Sequence, residues 1–172
     1  MSKVEPVEIN GERGEADAPA AHRRTTARLA AVQALYQMER TGIGVDSVIL
    51  EFKHHRLGGD IDGVLLHDAD DAFFEDAVRG VVRTQTKLDP YLERNLAANW
   101  TLKRIDSTAR AILRAGLYEL TARPDVPANV VINEYVALAK AFFDSDETGF
   151  INGVLDKAAR ELRSEERAPV AR

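Results

Sequence analysis

The chain contains no cysteine. That single absence removes disulfides, thiolate metal sites and thiol nucleophiles, and it suits a reducing compartment. Long apolar runs are missing too. No stretch approaches the roughly 18 residues that a membrane span needs, and Met1–Ala20 lacks the apolar segment of a secretory signal. The expectation is a cytoplasmic protein with no membrane segment. Alternating β-branched runs and fixed-period repeats are also absent, which argues against sheets and solenoids.

What remains is a chain of 172 residues, 45% of them apolar. That length and composition support one domain, or two small subdomains sharing a core. The net charge of −5 argues at first against nucleic acid. Its distribution says otherwise. Residues 1–20 contribute −3, through Glu5, Glu8, Glu12, Glu15 and Asp17 against Lys3 and Arg13. The remainder is close to neutral, so a local basic patch can dominate its own face.

Residues 1–20 read as a disordered acidic tail. Helical periodicity begins with Leu29, Val32, Leu35 and Tyr36 in an alanine-rich segment, predicting a helix over 21–40 that ends at Gly42 and Gly44. A short second helix is expected over 45–55. After a Gly/Asp-rich loop, a third carries Phe73, Phe74, Ala77, Val78, Val81 and Val82. Asp89-Pro90 is expected to break it and start a short fourth over 91–97. Ala109, Ile112, Leu113, Gly116, Leu117 and Leu120 define the fifth, capped by Asp106 or Ser107. The sixth carries Ile132, Tyr135, Val136, Ala139 and Phe142. The seventh carries Phe150, Val154, Leu155, Ala158 and Leu162. The expected fold is all-α, about seven helices in two packed small bundles over 21–87 and 88–163, with a frayed tail over 164–172.

One cluster points to function. Arg24 and Arg28 are one helical turn apart, with Arg23 just before them, at a helix N-terminus whose N–H groups and dipole attract anions. This is either a phosphate-binding corner or a solvated helix end. Tyr36, two turns on, is either a stacking platform for an unpaired base or a half-buried core residue. Lys103, Arg104, Arg110 and Arg114 read as the charged outer face of an amphipathic helix. The acids around Asp60–Asp71 lack the spacing of a calcium loop. His54 and His55 point apart on a helix and have no third ligand. No phosphate loop, nucleophile elbow or zinc motif is present, so nothing points to catalysis, a metal or a cofactor. Gly116, Gly149 and Gly153 suggest close helix packing.

Four blocks together resemble a known family. Ala31-Val32-Gln33-Ala34-Leu35-Tyr36 follows an arginine-bearing helix start. Leu113 to Leu120 reads Leu-Arg-Ala-Gly-Leu-Tyr-Glu-Leu. Asp125-Val126-Pro127 precedes Ile132-Asn133-Glu134 and Leu138-Ala139-Lys140. Phe150-Ile151-Asn152-Gly153-Val154-Leu155-Asp156-Lys157 opens the last helix. In this order and spacing, over about residues 21–162, they resemble the NusB family of bacterial antitermination factors.

The resemblance implies two helical bundles and binding of boxA-type single-stranded RNA in nascent rRNA transcripts. It implies a heterodimer with NusE, a small-subunit ribosomal protein, recruited with NusA and NusG to RNA polymerase; some family members form homodimers. It assigns RNA contact to Arg23, Arg24, Arg28 and Tyr36, and to Lys140 and Phe142. Thr25 and Thr26 stand where basic residues are common in the family, which implies weaker phosphate neutralisation and reliance on a partner. Two other readings stay open: a helical scaffold for proteins without RNA contact, and an accessory to rRNA modification.

Overall fold

In the computed structural model the described residues are 20–56, 60–61, 64–65 and 69–167. Residues 1–19 of the acidic tail expected over 1–20, most of the Gly58–Asp68 loop and residues 168–172 lie outside them. Among the described residues there are seven α-helices: α1 (Ala20–Thr41), α2 (Val45–Glu51), α3 (Asp71–Arg94), α4 (Ser107–Ala122), α5 (Ala128–Lys140), α6 (Ser145–Leu162) and α7 (Ser164–Arg167). A π-helical turn, Phe52–Arg56, continues α2, and a 3-10 turn, Leu102–Arg104, precedes α4. The only strands among the described residues are Asp60–Ile61 and Val64–Leu65, paired antiparallel.

α4 is the centre of the molecule. Eleven of its sixteen residues are buried, because α1, α3, α5 and α6 all pack against it. Helices this enclosed are apolar nearly all round. Asp106 caps α4 by accepting from the backbone N–H groups of Thr108 and Ala109. α1 approaches closely because the residues it turns inward are small: Ala27, Ala30, Ala31 and Ala34 are all fully buried. Gly80 does the same for α3, since a methyl group there would overlap the ring of Tyr118. Gly116 lies against Leu155 of α6, in the close packing its sequence suggests.

Several expectations change. Asp89-Pro90 does not end a helix; α3 runs through Pro90 to Arg94, so the boundary expected at 87/88 falls inside a continuous helix. Leu88 and Leu92 flank the proline and are both buried. Their burial, about 1.5–3 kcal/mol each, offsets the roughly 3 kcal/mol that an interior proline costs. The core face of α6 carries Ile151 where Phe150 was expected, and Phe150 and Leu162 are exposed. At Gly149 and Gly153 an added side-chain carbon would meet nothing within 4 Å among the described residues, so neither serves close helix packing. The tail is not frayed at its start. Arg163, buried, donates to the carbonyls of Leu120, Glu119, Arg123 and Val126, covering the C-terminal end of α4. Glu166 accepts from the N–H of Ala128 at the start of α5 (2.8 Å).

Candidate nucleic-acid interface

The start of α1 is held against α3 and α5. The N–H of Asp70 donates to the carbonyl of Arg23 (3.1 Å), and the Thr25 hydroxyl donates to the Glu134 carboxylate of α5 (2.9 Å). Within that frame the three candidate arginines separate. Arg23 is exposed. Arg24 is half-buried, its guanidinium over the ring of Phe73 (4.9 Å) and 3.9 Å from the carboxylates of Asp70 and Asp125. Arg123 lies over the same ring (5.0 Å).

Arg28 is no surface residue, and its assignment to RNA contact is corrected here. Only 3% of it is exposed. Its Nε donates to Oε1 of Glu119 (2.7 Å) and Nη2 to Oε2 (3.1 Å), a bidentate pair inside the protein. The Tyr135 hydroxyl donates to the same Oε1 (2.6 Å). Burial pulls the Arg28 pKa down, but the bond and charge of Glu119 outweigh it and hold the group above its ordinary value. Burial, then the Glu119 charge, pushes the Tyr135 phenol well up. The helical spacing of Arg24 and Arg28 is as read. One turn further along α1, however, the shared side passes from the open end of the helix to the interface with α4.

Tyr36 is 38% exposed, with the Arg40 guanidinium 5.9 Å above its ring. It sits about 18 Å along α1 from Arg24 at 1.5 Å per residue. Lys140 is exposed at the end of α5, and Phe142, 46% exposed, lies just beyond it. Lys140 is about 9 Å along α5 from Glu134, the residue that touches α1. The start of α1 thus meets α5 at Glu134, with Lys140 further along α5 and Tyr36 further along α1.

The second basic group also divides. Lys103 and Arg104 are exposed, but Arg110 and Arg114 are not an outer face. Arg110 pairs with Glu39 and donates to the carbonyls of Leu102 and Ile105. Arg114 pairs with Asp89 (2.8 and 2.9 Å) and Glu39 (3.1 Å). These arginines tie α4 to α1 and α3. A feature the sequence did not disclose is a groove of about 620 Å³ lined by Trp100, Phe150, Ile105 and Ala109 together with Arg104, Asp106, Asp146 and Glu147. Trp100 is 56% exposed. Nothing in the local pattern distinguishes such aromatics from core residues. Among the described residues no group of three His, Asp or Glu side chains could hold a metal, and no helix is long and apolar enough to cross a membrane.

The fold defines a small all-helical protein organised around one enclosed helix, with a basic helix end as its candidate site. The family model described as NusB family matches residues 25–160, so the chain belongs to the NusB family of bacterial transcription antitermination factors, not to a family of enzymes. It is 59% identical to the transcription antitermination protein NusB of Caulobacter vibrioides over 140 residues, 81% of this chain and 94% of that protein. It is 53% identical to the protein of that name from a Bradyrhizobium species over 149 residues, 87% of this chain and 88% of that one. Among solved structures it is similar to T. maritima NusB, with a TM-score of 0.69 and 28% identity over 89% of this chain and 99% of that one. It shares its fold with a chain from a crystal structure of antitermination factors NusB and NusE in complex with dsRNA (TM-score 0.65, 23% identity, 81% of this chain and 98% of that one).

Proposed function

We propose that this protein binds boxA-type single-stranded RNA of nascent rRNA transcripts at the start of α1, together with NusE, and joins an RNA polymerase complex containing NusA and NusG. The observation that carries the reading is the exposed Arg23 and half-exposed Arg24 at the open end of α1, which meets α5 at Glu134, in a chain of the NusB family. Phosphate contacts position a nucleic acid, and aromatic faces hold unstacked bases. Arg23, Arg24 and Lys140 serve the first role, Tyr36 and Phe142 the second. With Arg28 buried, the cluster is thin, and acids stand beside Arg24. Useful affinity therefore depends on the partner protein.

The groove of Trp100 and Phe150 supports the partner's place. Exposed aromatics among three acids and one arginine suit a basic ribosomal protein, with the aromatics as anchors and the acidic excess as steering charge. The test is titration of labelled boxA-type RNA with and without NusE at several salt concentrations. Two or three phosphate contacts give a log–log slope of about −1.4 to −2.1. A salt-independent or absent RNA signal with NusE binding intact supports instead a protein scaffold, a reading favoured by the acids around Arg24.

A further inference from the structure

Three guanidinium groups converge on one buried ring. Arg24, Arg28 and Arg123 lie 4.9, 4.8 and 5.0 Å from the ring centroid of Phe73, which is 3% exposed. Arg28 is committed to Glu119. The side chains of Arg24 and Arg123 reach solvent, 37% and 23% exposed. Three acids stand beside these two, and they are not equivalent. Asp70 caps α3, accepting from the N–H of Phe73 (2.9 Å). Asp76 accepts from the Tyr118 hydroxyl (2.9 Å) and, with its second oxygen, from Arg123 (3.3 Å). Asp125 is 52% exposed, and guanidinium groups meet both of its oxygens. Arg123 holds it in a two-pronged pair (3.0 and 2.9 Å), and Arg24 lies 3.9 Å away. The bond from Arg123 keeps the Asp125 carboxyl below its ordinary pKa, against a smaller opposing effect of burial. The turn around Asp125 is held by other bonds. The N–H of Val126 donates to the carbonyl of Arg123 (3.0 Å), and Arg163 donates to the carbonyls of Arg123 and Val126 (2.8 and 3.0 Å).

We infer that Asp125 sets the RNA affinity of the α1 corner: its carboxylate occupies, between Arg123 and Arg24, the place of an RNA phosphate, so that Arg123 is a further phosphate-binding residue masked in the free protein. This rests on the RNA reading above and adds one cation and one restraining acid to its site. The chemistry is that of arginine, whose planar fork grips carboxylate and phosphate with the same two-pronged geometry. Contact with the Phe73 ring steadies both guanidinium groups. Of the three acids, Asp125 is the one free to give way, because Asp70 and Asp76 are tied to groups of α3 and α4 as well. An arginine already neutralised by an internal acid releases no counterion when a phosphate replaces that acid. Arg123 therefore adds nothing to the salt slope until Asp125 loses its charge.

The full chain is titrated with labelled single-stranded boxA-type RNA in the presence of NusE at several salt concentrations, with thermal melting in parallel. Asp125→Asn keeps the shape of the side chain and removes its charge. It is expected to melt within about 4 °C of wild type, as an exposed pair allows. Its salt slope should steepen by about 0.7, with RNA affinity at low salt raised at least threefold. Asp125→Asn/Arg123→Gln should lose that gain. Asp125→Asn/Arg160→Gln should keep it, since Arg160 is 71% exposed on α6 and paired with Asp156. Loss of the gain in both double variants shows an effect of net charge alone and overturns the inference. An Asp125→Asn slope equal to wild type, with Arg23→Ala/Arg24→Ala weakened, overturns it and leaves the α1 site standing. Weaker RNA binding and a much lower melt for Asp125→Asn overturn it in favour of a purely structural carboxylate. Absence of RNA binding by wild type and Asp125→Asn alike overturns both readings.

Discussion

Arg28 of α1 and Glu119 of α4 form a two-pronged ion pair inside the protein, at 2.7 and 3.1 Å, with 3% and 1% of the side chains exposed. Tyr135 of α5 completes it, so three helices meet at one carboxylate. Removing one partner of a buried pair leaves the other charge stranded, at a cost of about 3–5 kcal/mol. Arg28→Gln is therefore expected to lower unfolding free energy by that amount in urea titrations. At temperatures where it remains folded, the salt slope of RNA binding stays that of wild type. A slope flattened by about 0.7 would show instead that Arg28 reaches a phosphate.

Arg23→Ala and Arg24→Ala should behave in the opposite way. Each is expected to flatten the slope by about 0.7 if it meets one phosphate, with unfolding shifted by less than about 1 kcal/mol because neither side chain is buried. Circular dichroism melts beside the binding titrations separate the two kinds of arginine.

Gly80→Ala places a methyl group into the ring of Tyr118, whose hydroxyl donates to Asp76 (2.9 Å). Overpacking of this kind costs about 1–3 kcal/mol, and the backbone of α3 and a ring held at both ends have little room to yield. A clear drop in melting temperature is expected. A partial recovery in Gly80→Ala/Tyr118→Leu would locate the strain at that contact.

The bond from Arg110, with the charges of Arg110 and Arg114, holds the Glu39 carboxyl below its usual range. A depressed folded pKa contributes stability that is present above the unfolded value, about 4.5, and is lost as pH falls through the folded value. Glu39→Gln should therefore flatten the stability profile below about pH 4.5. Denaturant midpoints measured from pH 3 to pH 7 check this. A variant as acid-sensitive as wild type would remove Glu39 from the account.

Arg163→Met strips the donors from four carbonyls near the end of α4 and its following turn. Hydrogen bonds to charged groups contribute about 1.5–3 kcal/mol each, although relaxation and water recover part of that. A loss of several kcal/mol is expected by urea unfolding, whereas a loss below about 0.5 kcal/mol would show that the cap is replaceable.

What the sequence determined by itself is the all-helical class, most of the helices and the family. Periodicity of 3.6 is a local property, readable wherever one stripe is apolar, as in α4 and α5. The blocks around Tyr36, Leu113–Leu120 and Phe150–Lys157 carry the kinship whatever their surroundings. The acid at position 106 was legible as a cap for the same local reason. What only the tertiary structure decided is which polar residues face inward. Arg24 and Arg28 share one spacing and one side of α1, yet one ends outside and the other against Glu119, 91 positions away. Pro90 sits inside a helix because Leu88 and Leu92 are held by the core. Gly116 and Gly149 look alike in the sequence, but an added methyl group would press on Leu155 at the first and meet open space at the second. Contacts between distant segments, not local pattern, set the burial of each charge and the space beside each glycine. Of the arginines at the start of α1, Arg23 and Arg24 therefore face the open end of the helix, while Arg28 belongs to the core.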